Sequence, residues 1–316
     1  MTLAMDPEIA AALAALLAEE PDAPLPAVGD VAARRRRSER RYPSLFAGVP
    51  QGPAVTRTDH TLTTADGAEV LLRWYAPRDG AIGAAALYLH GGGMIMGSVA
   101  ASDPGAASLA GLSGVPLLAV DYRLAPEFGH PVPVEDSYAA LTWLVEHAAS
   151  LGVDPERVGV LGESAGGGLA AGLSLLARDR SGPAIARQIL VYPMLDDRTT
   201  VRDPRFDGLL TWGYDDNVTG WQALLRGTAG SADVSPYAAP ARATDLSGLP
   251  PTYLDVGDLD VFLDEDLAYA ARLAAAGVPV ELHVVPGAPH AYELYAPVSA
   301  AAARARADRV RALRSL

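Results

Sequence analysis

The sequence predicts an α/β protein in which a mostly parallel central sheet is flanked by helices and covered by a helical cap. Two observations carry this. Short apolar segments alternate with Ala- and Leu-rich stretches through most of the chain, the pattern of parallel strands joined by crossover helices. A length of 316 residues, half of them apolar and 20% charged, supplies a sizeable core and excludes disorder, and the 31 Gly and 25 Pro follow no collagen-like period.

Residues 1–54 read as N-terminal cap helices over about 7–20 and 30–41, separated by the breaker-rich PDAPLPAVGD. The apolar run Ile9 to Ala18 is too short to cross a bilayer core of ~30 Å. It also lacks a preceding positive region, since Asp6 and Glu8 stand there and the first basic residue is Arg34. Neither a secretion signal nor an anchor is expected, and the expected location is the cytoplasm. Arg34 to Arg41 holds six Arg in eight residues. Against a net charge of -13 this reads as a solvated helix face, not a nucleic-acid patch.

The core is expected over 55–200 and 228–316. VTRTDHTLTT and AEVLLRWYA, joined through Ala65-Asp66-Gly67, predict an antiparallel hairpin at its head. Strands then follow over 85–90, 116–122, 157–162, 188–193, 252–257 and 281–286, with helices over about 102–113, 134–150, 165–178, 264–276 and 296–314. The interval 194–250 is too long for an ordinary crossover, so 201–227 is read as a cap insertion.

Composition removes several chemistries. All 25 basic residues are Arg and none is Lys, which excludes Schiff-base lysines, Ser-Lys dyads and a P-loop. The absence of Cys excludes thiol nucleophiles, disulfides and thiolate metal sites. Asp196 and Asp197 have no accompanying His, so no metal and no cofactor are expected.

Gly162-Glu163-Ser164-Ala165-Gly166 follows a predicted strand and opens a predicted helix. A sharp strand-to-helix turn strains the Ser164 backbone, and the flanking glycines remove β-carbons that would collide there. Ser164 is thereby presented as a nucleophile beside a helix N-terminus suited to negative charge. His90-Gly91-Gly92-Gly93 ends another predicted strand, where unblocked backbone N–H groups suit an oxyanion hole.

Taken with DYRLAPE (121–127), these two motifs resemble the hormone-sensitive-lipase family of α/β-hydrolases, in its bacterial esterase branch, along nearly the whole chain. The resemblance implies the α/β-hydrolase fold. It also implies that Gly91, Gly92 and Ala165 supply the oxyanion N–H groups while His90 shapes the loop, and that Arg123 and Glu127 pair to brace it.

A serine hydroxyl needs a base, and fold order places the acid and then the histidine after the nucleophile. His283 lies inside a predicted strand, whereas His290 lies on the loop leaving it, which favours His290. For the acid, Asp258, Asp260 and Asp264 compete on the loop after the preceding strand. The family resemblance selects Asp260, four residues before the Asp264-Glu265 pair, and leaves Asp264 as a helix cap. The family's Gly-Phe after the histidine and Pro-Leu-Arg after the aspartate are here Ala291-Tyr292 and Val261-Phe262-Leu263.

Glu163 is expected to point away from the serine hydroxyl. Met94, Met96, Trp212 and Trp221 are expected to wall an acyl pocket under the cap. The implied activity is a carboxylesterase acting on short- to medium-chain acyl esters through an acyl-enzyme. Alternatives are an amidase such as an arylformamidase, a lactonase, or a non-catalytic ligand-binding relative. The expected partner is a small-molecule ester, not nucleic acid or membrane. The resemblance admits a homodimer paired through a sheet edge and a C-terminal helix, and the sequence leaves the oligomeric state open.

Overall fold

The computed structural model describes residues 3–18, 25–78 and 83–316. Two helices, α1 (Pro7–Ala18) and α2 (Val31–Ala47), precede a hairpin of β1 (Val55–Thr63) and β2 (Glu69–Pro77). Gly67 closes that hairpin at φ +83°, a backbone angle that a side chain would strain. Then come β3 (Gly83–Leu89), α3 (Val99–Ser113), β4 (Leu117–Val120), α4 (Val132–Glu146), α5 (Ala148–Leu151), β5 (Val153–Glu163) and α6 (Ala165–Asp179). The chain continues with β6 (Gln188–Val191), α7 (Tyr214–Leu224), β7 (Thr252–Leu259), α8 (Leu263–Ala275), β8 (Val280–Pro289), α9 (Tyr292–Tyr295) and α10 (Ala300–Arg314).

The strands form one sheet in the order β1-β2-β4-β3-β5-β6-β7-β8. The first pairings, β1 with β2 and β2 with β4, are antiparallel, and the rest are parallel. Register aligns Glu163 with Val191, Val191 with Asp255, and Asp255 with His283. Loops that leave β5, β7 and β8 therefore emerge on the same edge of the sheet, as open parallel sheets require of a site. The central strands are apolar on both faces because helices cover both: β3 is buried from Ala84 to Leu89 and β5 from Val158 to Gly162.

Some boundaries differ from expectation. Helix α3 starts at Val99 because the Ser98 side chain accepts a hydrogen bond from the Ala101 N–H (3.0 Å). Helix α2 runs on to Ala47, and its last turns bury Leu45 and Phe46. The final predicted helix, 296–314, begins later, as α10, capped by Ser299, which accepts from Ala302 N–H (3.2 Å), and the short α9 before it was not predicted. Within 201–227 the regular structure is a single 3-10 turn (Pro204–Phe206) and the whole of α7.

The arginine-rich stretch is not simply a solvated face. Arg34 is buried, donating to Asp216 on α7 (2.8 Å) and to the carbonyl of Ala27 (2.6 Å). Arg35 forks onto Glu127 (2.7 Å to each oxygen) and donates to the carbonyl of Ile95 (2.7 Å). Both therefore anchor α2 to the rest of the protein. Helix α1 packs elsewhere, seating Ile9 against Ala288 and Tyr292. Among the described residues no helix is long and apolar enough to cross a membrane.

Candidate active site

Ser164 lies between the end of β5 and the start of α6, at φ 56° and ψ -120°. Two neighbours permit this turn. A β-carbon on Gly162 would lie 2.0 Å from the carbonyl oxygen of Gly166, and one on Gly166 would lie 2.0 Å from that of Leu89. Neither backbone can move aside, so both positions exclude every residue but glycine.

His290 leaves β8 beside this turn. Its Nε2 is 2.9 Å from the Ser164 hydroxyl, and its Nδ1 is 2.7 Å from Asp260 Oδ2. A carboxylate only accepts, so Nδ1 carries the hydrogen and Nε2 is left as the acceptor for the serine O–H. The other Asp260 oxygen accepts from Phe262 N–H (3.0 Å), which fixes the carboxylate plane. All three side chains are buried. Edge-on rings of Tyr192 (4.6 Å) and Phe262 (5.1 Å) hold the imidazole in place. Thr211 holds its backbone by donating to the His290 carbonyl (2.6 Å).

Gly91 lies against this group, since a β-carbon there would stand 3.2 Å from Ser164 Cβ. The N–H groups of Gly91, Gly92 and Ala165 have no acceptor among the described residues. His90 stacks on Tyr122 (4.3 Å) and contacts the Gly91 carbonyl through Nδ1 (2.8 Å). Burial lowers its pKa and keeps the ring neutral, as suits a loop-shaping role.

Comparison with known proteins agrees with this architecture. A family model described as alpha/beta hydrolase fold matches residues 86–294. The chain belongs to the α/β-hydrolase family. Within it, the match places the chain in the hormone-sensitive-lipase-like group. Among curated relatives, it is 38% identical over 272 residues to "Esterase LipI" of Mycobacterium tuberculosis, covering 84% of this chain and 79% of that one. It is 36% identical over 261 residues to "Ethyl acetate hydrolase" of Pseudomonas putida, covering 81% of each. Among solved structures, "Bacterial Heroin Esterase" superimposes with a TM-score of 0.87 at 38% identity, covering 98% of this chain and 97% of that one.

In this α/β-hydrolase the floor of the cavity carries Ser164 and His290, and about 760 Å³ of space lies above them, open solvent at the mouth included. Met96 and Trp212 line it; Met94 and Trp221 do not. Both are wholly buried in the hydrophobic core, so their assignment as pocket walls is corrected. Helix α2 contributes Tyr42, Leu45 and Phe46 to the lining, and Leu294 and Tyr295 come from α9. These five were missed because nothing in the periodicity of an N-terminal helix says which distant loop it will cover. Tyr192 was missed as well, although its place just after the strand QILV at the sheet edge was a usable signal.

Two supporting assignments also change. Arg123 does not pair with Glu127: it donates to Asp136 (2.6 Å) and Asp66 (2.7 Å), while Glu127 is held by Arg35. Two acids flank Arg123 from the hairpin turn and from α4, and these outbid a partner on its own loop. Asp264 caps nothing; it lies in the first turn of α8 and pairs with Arg205 (2.6 Å). Asp197 is likewise taken up, by Arg242 (2.5 Å) and the N–H of Gly230 (2.6 Å).

Competing acids and bases are occupied elsewhere. Asp258 accepts from Gly287 N–H (2.6 Å), and His283 contacts Glu281 (2.7 Å). Glu163 accepts from the Tyr88 hydroxyl (3.0 Å). Burial pushes its pKa up to about 7, and the nearby Glu293 carboxylate adds to the rise, while Arg309 opposes it. Arg309 itself is buried and forks onto Asp255 (2.8 Å to each oxygen). Burial raises the Glu293 pKa, but Arg309 and the Tyr192 hydroxyl outweigh it and hold that carboxyl low.

Proposed function

We propose that this α/β-hydrolase is a carboxylesterase for short- to medium-chain acyl esters, with Ser164 as nucleophile, His290 as base and Asp260 as its orienting acid. The observation that carries the reading is the unbroken hydrogen-bond chain from Asp260 through His290 to the Ser164 hydroxyl, at the floor of a largely apolar cavity. The names of the relatives, esterases and an ethyl acetate hydrolase, support ester chemistry.

The cycle follows from the geometry. Ser164 Oγ attacks the ester carbonyl as its proton passes to His290 Nε2, and Asp260 stabilises the resulting imidazolium through Nδ1. The carbonyl oxygen gains negative charge and is met by the free N–H groups of Gly91, Gly92 and Ala165; each such donor contributes about 2.7–4 kcal/mol in comparable enzymes. His290 then gives its proton to the departing alcohol. Water, deprotonated by the same imidazole, attacks the acyl-serine and restores the hydroxyl. The α2 helix and residues 201–227 act as the cap that bounds the substrate.

A fluorophosphonate probe followed by peptide mapping tests the reading. Labelling at Ser164, together with turnover of p-nitrophenyl butyrate that is lost in a folded Ser164→Ala variant, is the expected result. A folded wild-type protein that is neither labelled nor active would instead favour a ligand-binding relative.

A further inference from the structure

Phe46, in the last turns of α2, borders three cavities. One is the cavity above Ser164. A second, smaller chamber of about 510 Å³, open solvent included, lies beyond it, with Leu109, Leu294 and Pro297 on its apolar side and Glu293, Arg306 and Arg309 on its polar side. The third is a groove of about 1200 Å³, open solvent included, between α2 and α3. The Phe46 ring is 8% exposed and stands edge-on to Tyr42 (5.7 Å).

The first two cavities share Phe46, Glu163 and Leu294. Glu163 is the residue next to the nucleophile. A chain leading away from Ser164 over Glu163 therefore meets Phe46 and Leu294 as a partition, with unfilled space behind it. Gly105 faces the ring from α3: a β-carbon there would stand in ordinary contact with it, 3.6 Å from Phe46 Cε1.

The two outer spaces differ in access. No residue lining the rear chamber is exposed, whereas Glu39, Pro43, Ala47 and Ala100 on the groove wall are. In an acyl-enzyme cycle the alcohol must leave before water attacks, while the acyl group stays bonded to the serine. The exposed groove suits the arm that departs, and the more sheltered side suits the arm that remains.

Resting on the esterase reading, we infer that Phe46 is the specificity-determining residue that sets the longest acyl chain the site accepts, by closing the rear chamber. Removing the ring joins that chamber to the catalytic cavity and lengthens the preferred acyl group. The choice of alcohol, served by a groove that Phe46 only borders, changes far less.

The test compares p-nitrophenyl acetate, butyrate, hexanoate, octanoate and decanoate, alongside ethyl and benzyl butyrate. The proteins are wild type, Phe46→Ala, the milder Phe46→Leu, and Phe46→Ala combined with Gly105→Phe, which returns a ring from the opposite wall. One extra methylene in a fitted pocket discriminates about tenfold or more. The decanoate-to-butyrate ratio of kcat/KM should accordingly rise at least about tenfold in Phe46→Ala and less in Phe46→Leu. It should fall back in the double variant, while the benzyl-to-ethyl ratio stays within about threefold. Active wild type with parallel chain-length profiles in both folded single variants would overturn the proposal alone. A change confined to the alcohol series would also overturn it. Wild type inert towards every ester would remove the esterase reading and the proposal with it.

Discussion

The guanidinium of Arg34 donates through Nε to Asp216 at 2.8 Å, joining helix α2 to helix α7 across a separation of 182 residues. Arg34 is 3% exposed, and its terminal nitrogens donate to the carbonyls of Pro26, Ala27 and Asp30. The two parts of the chain that cover the cavity are thus held to each other by a buried charge.

Arg34→Met is expected to loosen this cover. Removing one partner of a buried pair costs about 3–5 kcal/mol where both charges are fully buried. Asp216 is a quarter exposed and can be rehydrated, so a loss of about 2 kcal/mol is expected, read from denaturant midpoints. KM for esters should rise more than kcat falls, because the reacting groups remain on the core. A kcat loss with KM unchanged would show that the pair does not act through the cover.

Asp260→Asn should reduce kcat by about 10⁴, since an amide cannot hold His290 in the tautomer whose Nε2 accepts the serine proton. Asp258 is committed to the N–H of Gly287. Asp258→Asn should then stay within about tenfold of wild type. Steady-state kinetics on p-nitrophenyl butyrate decides, and the reverse ranking would transfer the acid role to Asp258.

The carboxyl of Glu163 titrates at about 7 in the folded protein against an ordinary value of 4.5. Between those values the native state keeps a proton that the unfolded chain has released. Stability therefore falls as pH rises from about 4.5 to about 7 and then levels off. Glu163→Gln cannot ionise, so its unfolding midpoint should vary less over this window and should exceed that of wild type at pH 8 relative to pH 5. Equal pH slopes in the two proteins would show that Glu163 is not buried as a neutral acid.

Gly162→Ala places a methyl group 2.0 Å from the Gly166 carbonyl oxygen, in a turn with no freedom to open. A loss of about 3 kcal/mol or more is expected, visible as a lowered Tm or an insoluble product. Gly152→Ala is a useful contrast. Nothing lies within 4 Å of its β-carbon position, so only the strain of its φ of +71° opposes the substitution.

Legibility followed the range of the interaction. The elbow at Ser164 and the glycine loop at 91–93 could be read because strand, turn and helix propensities within a few residues demand those residue types. His290 could be read because β8 ends just before it. Asp260 needed the family pattern, because Asp258, Asp260 and Asp264 crowd the passage from β7 into α8 and local sequence does not rank them.

The amino-acid order by itself determined the alternation of strands and helices and the chemical types at the turns, because hydrophobic period and local backbone sterics act between near neighbours. Only the tertiary structure decided that Arg123 pairs with Asp136 and Asp66 and Glu127 with Arg35, that Met94 and Trp221 sink into the core, and that Phe46 stands where three cavities meet. Each of those outcomes is a choice among many distant partners of similar chemistry, and it is settled by which surfaces pack together.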